Sequence, residues 1–257
     1  MKRDKDGFLL RGEEVTRLEA FVDASFAFAM TLLVIFFNEL PDTVAELREA
    51  LWRVPTFALS FILLSTFWLG HNRWSRRFGL EDGVTTVLSL AFVLVVLVFV
   101  YPLRMVLSAF LNTISGGALP SELGIDRANI VGDMMTAFIV YGFGVGLLSI
   151  ILWLLNRHSL RQADALALEP RERHLLVAER DMHAIQAVIA AASILTCMLM
   201  LVWQPEPGFL LSLPMWLYAL NSFLLPWHWT RAERRMPRDE VRVADNAPMP
   251  PPATDDK

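Results

Sequence analysis

The stretch Arg17-Leu-Glu-Ala-Phe-Val-Asp23 leads directly into an apolar run, 24–37, so an aspartate lies inside an otherwise hydrophobic predicted helix. If the membrane boundary is near Arg17, Asp23 lies about 9 Å deep, at roughly 1.5 Å rise per residue. A charge at the centre of a bilayer costs roughly 2.5–3.5 kcal/mol on insertion scales, and less near an interface. Such a residue normally faces the protein interior and has a partner. Asp23 is therefore predicted to belong to a functional site, or to an ion pair that positions helices.

The residues after Asp23 place a mixed set of side chains on one helical face. Phe28, Thr31 and Ile35 are spaced i, i+3 and i+7, and Ala24 joins them one turn earlier. This face suits a pore, but a lipid-facing or buried stripe has the same spacing. The helix alone does not decide between these interpretations.

The composition is that of a membrane protein. Of the 257 residues, 54% are hydrophobic, and several apolar runs approach the length of a membrane span, which is about 20 residues. Strands are not expected, because an open sheet leaves backbone groups unsatisfied in lipid. The sequence therefore predicts an all-α polytopic membrane protein. Its one cysteine, Cys197, excludes an intrachain disulfide and is predicted to be inert packing.

The predicted organisation has three parts. A cytosolic arm covers residues 1–16, a six-helix transmembrane domain covers 17–230, and a basic, then proline-rich and disordered cytosolic tail covers 231–257. The six helices are predicted at 17–37, 54–72, 84–110, 131–156, 184–203 and 208–229. Between them, residues 43–53 are predicted as an amphipathic linker, and 157–183 as a charged, helical cytosolic connector.

Lysine and arginine are concentrated in alternate connections, which predicts the orientation. The arm through Arg17 carries five, the connection after the second helix three, the 157–183 connector five and the tail six. The opposite segments hold only three, with Arg104 near the outer end of the third helix. This asymmetry predicts that both termini are cytosolic.

With this orientation, polar groups from three helices lie at the same cytosolic depth. The residues that can meet there are Arg17, Asp23, His71, Asn72, Thr85, Thr86 and Ser89. Arg17 can neutralise Asp23, and His71 can donate to Asp23 or accept from a hydroxyl. A histidine at a helix end can equally be an ordinary interfacial residue, and both interpretations stay open.

These motifs resemble a known family. Arg17, Phe21 and Asp23, followed by small residues and then Thr-Leu-Leu-Val, resemble the Arg-x-x-x-Phe-Ser-Asp signature of the TMEM175 family of potassium channels, with Val22 in place of the serine. Trp68-x-x-His71-Asn72 resembles the segment that closes the family's second helix. Ser89 stands where the family usually has an asparagine. The resemblance covers about residues 15–156.

The resemblance implies a function and an assembly. It implies a potassium-selective cation channel of modest selectivity, built as a homotetramer in which the first helix of each subunit lines a central pore. Carried over by position, Phe28 forms a hydrophobic constriction, with Ala24 before it and Thr31 and Ile35 as the next layers outward. The polar network of Arg17, Asp23, His71, Asn72 and Ser89 positions this helix. The expected partners are further copies of the chain, membrane lipid and permeant potassium ions.

Other patterns do not point to catalysis or to a cofactor. Tyr141-Gly-Phe-Gly-Val-Gly146 looks like a filter loop, but it lies within a continuous apolar span, so Gly142 and Gly146 are predicted to pack helices. His158, His174 and His183 lack zinc-ligand spacing and are predicted to be solvated. Phosphate-loop and hydrolase motifs do not occur. We therefore expect no enzyme, no catalytic or metal-binding residue, no cofactor and no nucleic-acid partner.

Three alternatives stay open. The first is a proton-coupled small-solute transporter, in which Asp23 and His71 relay protons. The second is a membrane enzyme that uses the same two residues as an acid–base pair. The third is a divergent, non-conducting family member, for which Val22, Phe28 and Ser89 leave room. The single cysteine and the short loops favour a prokaryotic inner membrane as the location.

Overall fold

The computed structural model describes residues 3–12, 14–35, 42–125, 129–206 and 209–236, with the side chain of Ile35 outside this set. The described part is helical, apart from one isolated β-bridge between Arg3 and Leu9. The helices are α1 (Arg17–Ile35), α2 (Val44–Trp52), α3 (Val54–Phe78), α4 (Gly83–Ile114), α5 (Ile130–Arg161), α6 (Pro170–Trp203), α7 (Leu213–Trp216) and α8 (Asn221–Arg234). Two 3₁₀ turns, Phe209–Ser212 and Leu217–Leu220, flank α7. The predicted tail lies outside the described residues beyond position 236.

Five segments of the described chain are long and apolar enough to cross a membrane, which confirms an all-α polytopic membrane protein. They are α3, α4, α5, α6 and Phe209–Arg234. The first of the six predicted spans is not among them; its described part, α1, has 19 residues and carries Arg17, Glu19 and Asp23. Residues 36 and 37, which complete its predicted apolar run, lie outside the described residues. That α1 spans the membrane therefore stays a prediction.

Helix ends differ from the predicted bounds for local reasons. α3 continues to Phe78 and stops at Gly79, which adopts a left-handed conformation with φ 57°. A side chain at Gly79 would also meet the backbone of Gly12 at 3.0 Å. α6 begins at Pro170, because Glu169 and Glu172 form a capping box around a proline in the first turn. Much of the predicted 157–183 connector is therefore helical.

The last span is not the single helix predicted at 208–229. It is divided into two 3₁₀ turns and two α-helices between Phe209 and Arg234. Pro214 lies in α7 and Pro226 lies inside α8. Proline removes a backbone donor and disfavours the helical conformation of the residue before it, so this span is broken.

Glycines allow α5 to approach its neighbours closely. A Cβ at Gly144 would lie 1.9 Å from the ring of Phe99 on α4, and one at Gly142 would lie 2.7 Å from Ile194 on α6. A Cβ at Gly146 would be in van der Waals contact with Ala190 at 3.4 Å. The glycines of the Tyr141–Gly146 stretch therefore pack helices, as predicted.

Polar contacts tie together the helix ends that are predicted to be cytosolic. Asp82 caps α4 by accepting from the Thr85 amide at 2.8 Å, and it also contacts His158 Nε2 at 2.5 Å and Gln162 Nε2 at 2.7 Å. Burial acts to raise the pKa of Asp82, but these hydrogen bonds outweigh burial and hold the pKa well below its usual range.

The histidines predicted to be solvated instead serve this packing. His174 Nε2 contacts the Ala232 carbonyl at 2.8 Å, and His228 Nε2 contacts the Ala178 carbonyl at 3.1 Å, so the pair joins α6 and α8 at two points. His183 Nδ1 contacts Gln186 Oε1 at 3.1 Å. The solvated prediction for His158, His174 and His183 was wrong because the helices that carry them pack these side chains against polar groups of the described chain.

The candidate pore helix and its polar partners

α1 has one buried and one uncovered face. Val22, Phe26, Ala29 and Leu33 are buried at spacings of four, three and four residues, and they pack α1 against α3 and α4. On the other side, Ala24, Phe28 and Thr31 are exposed, and Phe28 keeps 57% of its surface accessible. The structure thus leaves the predicted pore face uncovered by its own chain. The side chain of Ile35 lies outside the described residues.

The hydroxyl groups of α1 bond back to the helix. Thr31 Oγ1 donates to the Ala27 carbonyl and Ser25 Oγ donates to the Phe21 carbonyl, both at 2.8 Å. Because each hydroxyl proton is used within the helix, the remaining lone pairs can accept from water or face a cation. Thr31 therefore presents an acceptor on the uncovered face.

Asp23 is held by a neutral partner. Trp68 on α3 donates its indole N–H to Asp23 Oδ1 at 2.8 Å. Among the described residues, no ion pair joins Asp23 to Arg17, and Arg17 is exposed. The predicted pairing was wrong because six helical residues correspond to a rotation of about 240°, which places Arg17 and Asp23 on different faces.

The acidic neighbour of Asp23 is Glu19, one turn earlier. Glu19 is buried, and its amide donates to Thr16 Oγ1 at 3.1 Å. Thr16 thus caps the first turn of α1 with its side chain. The charged entry to α1 therefore contains a capped helix start and no Arg17–Asp23 pair within the described residues.

His71 belongs to a second, separate contact. His71 Nε2 lies 3.0 Å from Ser89 Oγ, and both side chains are buried. The imidazole stacks on Phe92 at 5.3 Å between ring centroids, and Phe92 in turn lies 5.5 Å from Phe26 of α1. The structure therefore brings His71 and Ser89 together, as predicted, but joins them to α1 through stacked rings rather than through Asp23.

The remaining members of the predicted network do not join either contact. Asn72 is half-buried and makes no hydrogen bond within the described part of the chain. Thr85 and Thr86 are used at the start of α4, where the Thr85 amide and the Thr86 hydroxyl donate to Asp82. Equal depth in the membrane predicted one polar network, but the structure has two separate contacts, Asp23–Trp68 and His71–Ser89. Side chains at the same depth still point in different directions around their helices.

A charged cluster that sequence reasoning missed lies on the side predicted to be cytosolic. Arg77 of α3 is only 1% exposed, and its guanidinium contacts Asp4 at 2.6 Å, Asp6 at 2.5 Å and Glu179 at 2.5 Å. It also lies over the ring of Phe8, 4.1 Å from the centroid. The arm that precedes α1 is therefore an ordered element docked on α3 and α6.

Further contacts fix the same arm. Arg11 pairs with Glu172 of α6 through two hydrogen bonds of 3.0 and 2.8 Å, and the Leu9 amide donates to the same carboxylate at 2.7 Å. The Gly12 amide donates to the Arg76 carbonyl at 3.0 Å. The alternation of basic and acidic residues in the arm was the available signal, but the partners are far away in sequence.

A second buried arginine, Arg104, was noted in the sequence only as a topology marker. Arg104 lies on α4, is 1% exposed, and donates to the Leu33 carbonyl of α1 and to Glu122. The sequence did contain a signal for this contact. Arg104, like Asp23, is a charged residue within an apolar run, and such a residue is expected to have a partner inside the protein.

Taken together, the fold and this site define an integral membrane protein of packed helices, with one polar-anchored helix whose outer face its own chain leaves uncovered. Comparison with known proteins then shows which family a part of the chain resembles. Residues 17–102 match the family model described as "Endosomal/lysosomal potassium channel TMEM175". A protein of Marivirga tractuosa named "Potassium channel" is 34% identical over 146 residues, which are 56% of this chain and 58% of that relative. The matched stretch thus spans less than two thirds of the relative's length.

The fold is shared with a solved channel. A crystal structure of a variant of the potassium channel MtTMEM175, in complex with a Nanobody-MBP fusion protein, aligns with a TM-score of 0.72 at 23% identity, over 91% of this chain and all of that chain. Residues 17–102 therefore resemble the TMEM175 family, in agreement with the resemblance predicted from Arg17, Phe21 and Asp23, and the solved structure shows the same fold. The matched proteins are named as channels and not as enzymes, in agreement with the sequence expectation.

Proposed function

We propose that this protein is the subunit of a potassium-selective cation channel of modest selectivity, and that copies of α1 line its pore in a homotetramer. The observation that carries the proposal is the two-sided character of α1. Its buried face packs against α3 and α4, whereas Ala24, Phe28 and Thr31 are exposed on the opposite side. Three further copies of the chain would cover this face around a central axis.

Phe28 is the proposed constriction. It is a bulky apolar side chain on the uncovered face, and a ring of four such side chains narrows a pore and excludes water. Thr31 supplies a hydroxyl oxygen one layer further outward, and Ile35 is proposed as the layer after that. Because this arrangement offers no cage of carbonyl oxygens, we expect modest discrimination between potassium and sodium and a mostly closed resting state.

The departure from the family signature falls on the packing side of α1. Val22, which replaces the signature serine, is fully buried in the apolar core. The substitution therefore does not alter the proposed pore surface, which favours the conducting channel over the non-conducting family member. Asp23, His71 and Ser89 are proposed to hold α1 in position from the same buried side.

The transporter and enzyme alternatives lose their main support. Both need Asp23 and His71 to exchange a proton, yet Asp23 accepts from Trp68 and His71 contacts Ser89. No direct hydrogen bond between Asp23 and His71 is present in the described structure. The channel remains the function that the site supports best. We propose that it is located in a prokaryotic inner membrane, where lipid surrounds its helices.

Potassium flux into liposomes tests the proposal. Purified protein should admit potassium in preference to sodium, and Phe28→Ala should raise the flux by about tenfold or more, since removing four aromatic rings allows the constriction to hydrate. The matched control is Phe143→Ala, which removes an exposed phenylalanine from α5 and should leave the flux unchanged.

Two results would count against the proposal. Equal flux in native protein and Phe28→Ala would remove Phe28 as the constriction. No flux in either form, from folded and oligomeric protein, would remove the channel and leave the non-conducting family member.

A further inference from the structure

We propose that Arg104 is a positioning residue for the outer end of α1, and that it couples this end to the outer loop 115–125. The inference rests on the proposed function, because the consequence of holding α1 is argued for a pore that α1 lines. It adds a residue to the channel that lies outside the family signature.

The guanidinium of Arg104 joins three parts of the chain. Arg104 stands on α4, two residues after Pro102, and is 1% exposed. One nitrogen, Nη1, donates to the Leu33 carbonyl in the last turn of α1, and the other, Nη2, donates to Glu122 Oε1 at 2.5 Å. A buried charge of this kind is held only by good partners, and here the partners belong to different elements.

The contact with Leu33 brings a positive charge to a backbone carbonyl of α1. Leu33 lies two residues before Ile35, the last described residue of this helix. A hydrogen bond from a charged donor is stronger than one from a neutral donor. α1 has no basic residue of its own in its last described turn, so Arg104 supplies this charge from α4.

The contact with Glu122 extends the coupling to the outer loop. The Glu122 amide donates to Ser108 Oγ at 2.8 Å, and Ser108 is itself buried on α4. The Asn112 side chain donates to the Leu119 carbonyl at 2.6 Å. Glu122 is thus fixed from its backbone as well as through its carboxylate, so the loop, α4 and the end of α1 move together.

Only an arginine can hold both partners in this way. Its planar guanidinium presents separate donors in a fixed fork, whereas a lysine is a point charge on a flexible stem. Arg104→Lys should therefore preserve the charge but lose the simultaneous hold on Leu33 and Glu122.

The experiment measures flux and the position of α1 separately. In liposomes, Arg104→Gln and Glu122→Gln should each lower potassium flux about fivefold or more, a typical size for coupling between sites, with Arg104→Lys in between. The matched control is Arg53→Gln, which removes an arginine from the exposed pair with Glu49 and should leave flux unchanged. Oligomeric state is checked for every variant.

The second readout is the rate at which a cysteine at position 34, in α1, reacts with a water-soluble thiol reagent, in a Cys197→Ser background. Val34 is exposed in the last turn of α1, so its reactivity reports where that turn lies. We expect the rate to change severalfold in Arg104→Gln and Glu122→Gln.

The outcomes separate the two proposals. An unchanged labelling rate in both variants would overturn the role of Arg104, and so would an unchanged flux in assembled variants of a native protein that conducts. If Arg104→Gln does not fold, Glu122→Gln alone decides, since it keeps the arginine. If native protein carries no flux but the labelling rate still changes, the channel fails while the positioning of α1 by Arg104 stands.

Discussion

At the scale of single residues, Asp23 shows how a charged group is tolerated inside an apolar helix. The carboxylate is half-buried and accepts from the indole N–H of Trp68 across the α1–α3 contact. A hydrogen bond from a neutral donor to a charged group is shorter-ranged than an ion pair and strongly directional, so it fixes the rotation of α1 against α3. Asp23 therefore orients the helix rather than facing the uncovered side.

Replacing Trp68 tests this assignment. Trp68→Phe keeps an aromatic ring but leaves the Asp23 carboxylate without its donor, so we expect a loss of about 1.5–3 kcal/mol in the free energy of unfolding, measured in detergent. Asp23→Asn combined with Trp68→Phe should cost less than the sum of the single changes, because the two residues share one interaction.

The control is Trp153→Phe, since the Trp153 indole packs on Arg157 and makes no hydrogen bond within the described chain. Equal losses for Trp68→Phe and Trp153→Phe would show that the indole N–H does not support Asp23.

Some of these contacts could be predicted from the sequence and others could not, because a contact that depends on tertiary packing leaves no local sequence pattern. The face of Ala24, Phe28 and Thr31 follows from helical periodicity alone, and it is indeed exposed. Equal depth also brought His71 and Ser89 together correctly. The prediction of an Arg17–Asp23 ion pair was wrong because it considered the depth of the two residues along α1 but not their positions around the helix axis. The Trp68 donor could not be predicted, because the rotation of α3 against α1 is a tertiary property.

At the scale of elements, the arm that precedes α1 behaves as a folded part of the molecule. Its acidic residues surround Arg77 of α3, and Arg11 pairs with Glu172 of α6. The sequence predicted a polar cytosolic arm but not its docking, because charge alternation within the arm says nothing about distant partners. The start of α1 is consequently held by α3 and α6 as well as by the Thr16 side chain that caps it.

The buried and exposed ion pairs of this arm should differ in strength. Arg77→Gln leaves three carboxylates clustered without a buried cation, so we expect a loss of about 3–5 kcal/mol in unfolding free energy. Arg3→Gln breaks the pair with Glu169, whose side chains are 46% and 43% exposed, and should cost at most about 1 kcal/mol. Thermal unfolding in detergent measures both, and comparable losses would mean that the arm does not depend on Arg77.

At the scale of the whole molecule, exposure has more than one meaning. Phe28 and Thr31 on α1 are exposed in the isolated subunit, and so is Leu94 on α4. In the proposed tetramer the first two face a central pore, whereas Leu94 faces lipid. The sequence predicted the apolar helical character of the chain, but which exposed face meets lipid and which meets other subunits depends on assembly.

Chemical accessibility distinguishes these faces. A charged, water-soluble thiol reagent should modify Thr31→Cys far faster than Leu94→Cys, both in a Cys197→Ser background, since only a hydrated pore carries the reagent to the thiol. Native mass spectrometry should find four copies of the 29.1 kDa chain. Equal modification rates at the two positions, or a monomeric mass, would contradict the proposed arrangement.

The docked arm has a consequence for how the molecule is made. The arm is synthesised before α3 and α6, and its hydrogen bonds to Glu172 join residues that are 161 and 163 positions apart in the sequence. Its contacts with α3, such as Asp4–Arg77, span a shorter separation of 73 residues. The arm therefore cannot complete its docking until α6 has been synthesised, and closing so long a loop is slow compared with local helix formation. Until then the start of α1 is held by local contacts and by α3.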